Sequence, residues 1–147
     1  MSAVIDASVV VRAVLPGQPH HDAVHSWLST QQDLLAPRLI WYEVTTAIRR
    51  LEHAGVIDTE TGSSALEAAL QLRIRVEAPR QIYFDALSLA RALQLSRTHD
   101  AVYLAVARLH RSPLVTLDER LLHNARSHGY DVRHPAELAG GSTPIPR

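Results

Sequence analysis

The sequence predicts an α/β fold, a central, mostly parallel sheet of short strands flanked by helices, and two observations predict it. Apolar runs of strand length alternate with longer segments in which apolar residues recur every three or four positions. Proline and glycine punctuate the boundaries between these segments, as at Pro16-Gly17, Ala54-Gly55 and Gly129. The 147 residues are 46% hydrophobic and 20% charged, enough for one domain with a substantial core. That domain is expected over 1–138. The stretch 139–147, rich in Gly, Ser and Pro, is expected to be a flexible tail. There is no internal repeat.

Residues 2–6 read as a buried strand, since Ala3-Val4-Ile5 is apolar on both faces. A helix over about 8–15 follows and is stopped by Pro16-Gly17. His20 to Gln31 fits a second helix, with Ala23, Val24, Trp27 and Leu28 at helical spacing. Asp33-Leu34-Leu35-Ala36 reads as a strand, and Pro37 as the first residue of a long helix running to about His53. Thr59 is the expected cap of a helix over 60–73. Residues 73–77 alternate in strand fashion and end before Pro79. Helices over 80–94 and 99–111, a strand over 113–117, a helix over 118–128 and a short strand over 130–132 complete the chain.

Composition narrows the function classes. No apolar run reaches the length of a membrane span, and Asp6 interrupts the segment where a secretory signal core would form. No membrane association and a cytoplasmic location are therefore expected. The absence of Cys excludes disulfides and thiolate zinc sites. Formal net charge is zero, so attraction to nucleic acid is not a property of the whole molecule. All 15 basic residues are Arg, whose planar fork suits phosphate.

Four carboxylates occupy positions where a carboxylate is awkward. Asp6 ends the first strand. Glu43 falls on or beside the apolar stripe of Ile40, Val44, Ala47, Ile48 and Leu51. Asp100 precedes Ala101 to Ala107, a run apolar all round, and Asp118 follows the strand ending at Leu117. Each also has an ordinary structural role open to it. Asp118 and Asp6 would serve as helix caps, Asp100 as a first-turn acid, and Glu43 as the partner of a buried Arg. Ligands of such sheets bind at the carboxyl ends of the strands, where Asp6 and Asp118 fall. Two like charges ~4 Å apart repel by about 4 kcal/mol at an effective dielectric near 20. Carboxylates gathered there need raised pKa values or a cation, and an all-oxygen set suits Mg²⁺, with Mn²⁺ as a substitute.

The segments around these acids resemble the PIN-domain ribonucleases of the VapC toxin type. The motifs are Val4-Ile5-Asp6-Ala7-Ser8, Trp41-Tyr42-Glu43-Val44, Thr98-His99-Asp100-Ala101 and Leu114-Val115-Thr116-Leu117-Asp118, and the likeness runs from Val4 to about Leu138. It implies that Asp6 and Asp100 are the principal Mg²⁺ ligands and that Glu43 and Asp118 complete the catalytic pocket. Ser8 and Thr116 match positions where relatives carry hydroxyls that steady the acids. His99 departs from the aromatic residue frequent there.

The implied reaction is in-line attack of water on an RNA phosphodiester, leaving a 5′-phosphate and a 3′-hydroxyl. Transfer or ribosomal RNA is the implied target, with arrested translation the result. The implied partners are the RNA, a cognate antitoxin and a second copy in a homodimer, with Leu66, Ala69 and Leu70 as candidate contacts, a face that core packing within the monomer explains equally well. A nuclease of RNA processing or of DNA is an alternative. An aspartyl-phosphate phosphatase needs an acid where Ser8 stands, and a non-catalytic module would not need all four acids.

Other signals carry less. His21 and His25 share a helix face but lack a third ligand for zinc, and His110, His123 and His128 read as surface residues. Arg12, Arg38, Arg97 and Arg120 fall near the predicted ends of the elements carrying the acids and are candidates for phosphate contact, though for each alone a solvated surface arginine is the better reading. Trp27, Trp41 and Tyr42 read as packing residues, and Asp85 as solvated or ion-paired.

Overall fold

The structure, a computed structural model, describes residues 2–139. Five parallel strands, β1 (Ser2–Ile5), β2 (Asp33–Pro37), β3 (Ile74–Glu77), β4 (Leu114–Val115) and β5 (Val132–Arg133), form one sheet in the order β3-β2-β1-β4-β5. Eight helices connect them: α1 (Ala7–Val14), α2 (His21–Ser29), α3 (Ile40–His53), α4 (Thr59–Leu70), α5 (Arg80–Ala92), α6 (His99–His110), α7 (Glu119–Ser127) and α8 (Pro135–Leu138). The expected α/β class holds, and every strand pair is parallel. Of the expected tail, 140–147 lies outside the described residues.

Burial explains the layering. β1, β2 and β4 are the inner strands, and Val4, Ile5, Leu35, Leu114 and Val115 are fully buried. Such strands need apolar residues on both faces, which is why they read as continuous runs. α6 packs beneath β1, β2 and β4 and against α5. Its residues Ala101 to Ala107 are buried without a break, as an all-round apolar helix requires. α1 packs against α2, α3 and α4. The edge strand β3 alternates instead, and its Arg75 pairs with Glu77 at 3.3 Å and with Asp33 at 3.6 Å.

Several boundaries differ from the sequence reading. Pro37 closes β2 rather than opening α3, because the register with β3 continues through Pro37 opposite Glu77. Asp58, not Thr59, caps α4, its carboxylate accepting from the Thr61 amide at 2.7 Å. The last strand lies at Val132–Arg133, and the four-residue α8 after it is too short to leave a periodic signature. On α4, Ala65 and Ala69 are buried while Leu70 is 56% exposed.

Candidate active site

The chain winds from β1 outward to β2 and β3, then returns across the sheet to β4 and β5. The winding direction therefore reverses between β1 and β4, and helices leaving their adjacent carboxyl ends diverge to open a crevice. Asp6 directly follows β1 and is the N-cap of α1. Asp118 follows β4 and is the N-cap of α7. Glu43 lies in the first turn of α3, and Asp100 in the first turn of α6. All four carboxylates line one cavity of about 410 Å³. Each thus sits at the positive end of a helix macrodipole, which supplies roughly half a unit charge and favours an anion there.

Asp6 is buried and tied across the sheet. Its Oδ1 accepts from the Ser8 hydroxyl at 2.5 Å and the Val9 amide at 3.3 Å, and its Oδ2 accepts from the Thr116 hydroxyl. The two hydroxyls are themselves oriented by the turn after β4. Ser8 Oγ accepts from the Leu117 amide and Thr116 Oγ1 from the Asp118 amide, both at 3.0 Å. With a lone pair of each hydroxyl held by an amide, its proton points at Asp6. Burial pushes the Asp6 carboxyl up to about 6, even though Ser8, Thr116 and Val9 all pull the other way; the Asp118 charge raises it further.

Replacing Thr116, which is fully buried, by valine should leave both Asp6 Oδ2 and the Asp118 amide without this partner. The expected loss is about 1–3 kcal/mol of unfolding free energy, with the Asp6 carboxyl rising further. Urea unfolding and carboxyl NMR titration of T116V would check both.

The remaining acids are less committed. Asp118 Oδ1 caps α7 by accepting from the Arg120 amide at 2.9 Å and the Leu121 amide at 3.1 Å. The Asp100 carboxyl is raised by burial and by the Asp118 and Glu43 charges, against an opposing pull from His99. Glu43 Oε1 is buried with no hydrogen-bond partner. Tyr103, in the same cavity, also has an unpartnered buried hydroxyl; it lies beside Glu43 without reaching hydrogen-bond geometry. Burial, reinforced by the Glu43 charge, holds its proton on.

This donor set fits a hard divalent cation. Its ligands would all be oxygen, Glu43, which lines the cavity, has a buried carboxylate oxygen without a hydrogen-bond partner, and burial, with neighbouring negative charge added, raises two of the acids. As they stand, no three His, Asp or Glu side chains among the described residues enclose a common point.

All four acids nominated from sequence are thus brought to one cavity, with Ser8 and Thr116 bonded to Asp6. Arg97 lines this cavity, and Arg120 lines the next one along. Arg38 lines a third, more apolar hollow with Tyr83, which adjoins the acidic cavity through Leu39, Tyr42 and His99. Arg12 lines none of these three cavities. Tyr42 does not pack in the core: it is 76% exposed at the cavity rim. His110 is not a plain surface residue either, since its buried Nε2 lies 3.4 Å from Glu77. Asp85 accepts from Gln81 Nε2 at 2.9 Å. Sequence reasoning missed Arg50 and Tyr103, which both line the acidic cavity. Tyr103 alone left a signal, as the single hydroxyl in the apolar run of α6.

Comparison with known proteins adds the family context. The family model for the PIN domain matches residues 3–127. PAE2754 from Pyrobaculum aerophilum is similar in structure, with a TM-score of 0.72 at 22% identity over 95% of this chain and 93% of that one. VapC20 of Mycobacterium tuberculosis, a toxin that cleaves the sarcin–ricin loop, is similar at 0.65 and 16% identity, over 87% and 95% of the two chains. VapBC2 from Rickettsia felis, bound to a promoter DNA fragment, is similar at 0.65 and 14% identity over 91% and 98%. No curated protein matches the chain in sequence.

Proposed function

The chain belongs to the PIN domain family, and from that premise we propose that it is a metal-dependent endoribonuclease, the toxin of a toxin–antitoxin pair. One observation carries the nuclease reading. Four carboxylates from the N-terminal ends of four helices line one cavity at the point where the sheet reverses, and a buried Glu43 oxygen is left unpaired there. The toxin reading is supported by the nature of the similar structures, one a toxin that cleaves the sarcin–ricin loop and others toxin–antitoxin complexes.

In this reading Asp6 and Asp100 hold Mg²⁺, and Glu43 and Asp118 complete the set. A bound Mg²⁺ supplies charge neutralisation of the scissile phosphate and lowers the pKa of water. The residues of the chain do the positioning. Ser8 and Thr116 lock both oxygens of Asp6, so its orientation is fixed before substrate arrives. The dipoles of α1, α3, α6 and α7 favour a further anion at the same place. RNA phosphodiester hydrolysis, acting on transfer or ribosomal RNA and stopping translation, follows as the biological activity. A cognate antitoxin, a homodimeric state and a cytoplasmic setting belong to the same proposal. No helix among the described residues is long and apolar enough to cross a membrane.

The test is cleavage of a labelled RNA and its DNA counterpart by the purified chain with Mg²⁺ and with EDTA. RNA products bearing 5′-phosphates, formed only with the cation, are the expected result. Cleavage confined to DNA would move the assignment to a DNA nuclease. No cleavage of either with Mg²⁺ or Mn²⁺ would overturn it. Unimpaired growth on expression of verified soluble protein would remove the toxin role alone.

A further inference from the structure

Next to the acidic cavity lies a second one, of about 590 Å³, and the two share Arg97, Asp100 and Asp118. We infer that this second cavity is a phosphate-binding cleft, in which Arg97 and Arg120, assisted by Asn124, grip the RNA backbone beside the bond being cut. The inference rests on the nuclease reading for its substrate and goes beyond it in assigning the residues that hold that substrate.

Position is the first argument. Arg97 precedes α6 and Arg120 lies in the first turn of α7, so both guanidinium-bearing residues belong to the same helix ends that deliver Asp100 and Asp118. A backbone whose scissile phosphate sits among the carboxylates has to leave the acidic cavity somewhere. The shared rim offers a continuous exit into a hollow lined by two arginines, with the Asn124 amide at its wall and the buried Leu121 among its lining residues.

Charge is the second argument. Arg97 and Arg120, like most of the arginines, form no ion pair among the described residues; only Arg49, Arg75, Arg126 and Arg133 do. This holds although Asp100 and Asp118 line the same cavity. Asp118 has one oxygen committed to the α7 cap, and both acids are spoken for once a cation binds. Arg120 also stands at the positive end of α7, where a cation is disfavoured by the macrodipole. A cation kept at that cost lowers the energy of an incoming anion, and a guanidinium forks onto phosphate through two parallel N–H donors. Such contacts position the strand and carry no base information.

Binding of a fluorescein-labelled single-stranded RNA with a hydrolysis-resistant phosphorothioate backbone to the full wild-type chain, with Mg²⁺ present, separates this cleft from the chemistry. Adding R97A or R120A should weaken binding about tenfold and lower the salt dependence of log K by about one phosphate's share each. R97K and R120K should restore most of the salt slope. R73A, just before the amino end of the edge strand β3, should do neither. In cleavage by the otherwise wild-type chain, R97A and R120A should raise KM with kcat nearly unchanged, and R120A should melt no lower than the parent. RNA affinity and salt slope untouched by both substitutions would overturn the cleft even if the parent cleaves RNA. Binding weakened as expected in a chain whose parent cleaves nothing would instead overturn the nuclease reading and keep the cleft.

Discussion

Asp6→Asn is expected to lose RNA cleavage by on the order of 10³-fold or more while the protein stays folded. The substitution keeps the shape of the side chain but removes the charge on which cation binding depends. In metal-free buffer at pH 8 the variant should melt at or above the wild-type temperature. Burial lifts the Asp6 carboxyl from 3.8 to about 6, so ionising it inside the fold costs about 3 kcal/mol that an uncharged side chain does not incur. The gain falls short of that figure, because the introduced amide would face hydroxyl protons that now point at a carboxylate. Asp100→Asn should lose activity to a similar degree. Gel-based cleavage and calorimetry together check this, and a D6N protein cleaving within tenfold of wild type would exclude Asp6 from catalysis.

Divalent cation should reverse the pH dependence of stability. Asp6 holds its proton more tightly when folded than when unfolded, so the stability it contributes is complete below about pH 4 and is lost as pH rises through about 6. Asp100 is shifted in the same direction. The exposed Asp58 and Glu137 shift the opposite way, which is why the comparison has to be made against D6N. In EDTA, wild type should fall by about 2–3 kcal/mol relative to D6N between pH 4 and 7. Saturating Mg²⁺ should stabilise wild type at pH 8 by about 2.7 kcal/mol when the free ion exceeds Kd about 100-fold, and much less at pH 5, where protons compete. Activity should vanish with EDTA and return with Mg²⁺ or Mn²⁺. Identical melting with and without the ion at both pH values, together with cleavage that survives chelation, would remove the metal from the mechanism.

How much of this was legible depended on which physical effect dominated each segment. The inner strands were readable because a strand buried on both faces must be apolar throughout, as Ala3-Val4-Ile5 and Leu34-Leu35-Ala36 are. The start of α3 was not, because proline suits the first turn of a helix as well as the end of a strand, and only the pairing with β3 decides between them. Asp58 and Thr59 are both good caps by residue type, and the choice lies in which carboxylate or hydroxyl reaches Thr61.

The acids stood out because each interrupts an apolar segment or begins a helix. Their ordinary roles do not keep them from sharing one cavity: Asp6 and Asp118 cap helices and line it at once. Arg50 left no trace, since an exposed arginine on α3 looks like every other. Tyr42 misled because one step along a helix turns a side chain by about 100°, carrying it off the buried stripe that holds Ile40, Val44 and Ile48.

The sheet order has a consequence for synthesis. β1 is the first strand made, yet one of its two neighbours, β4, is contributed by residues more than a hundred positions later, and the hydroxyl clamp on Asp6 closes over a separation of 110. A nascent chain that has not yet delivered Thr116 and Asp118 has neither the clamp nor the fourth acid. On the ribosome the acidic cavity therefore stays incomplete until Asp118 has been added.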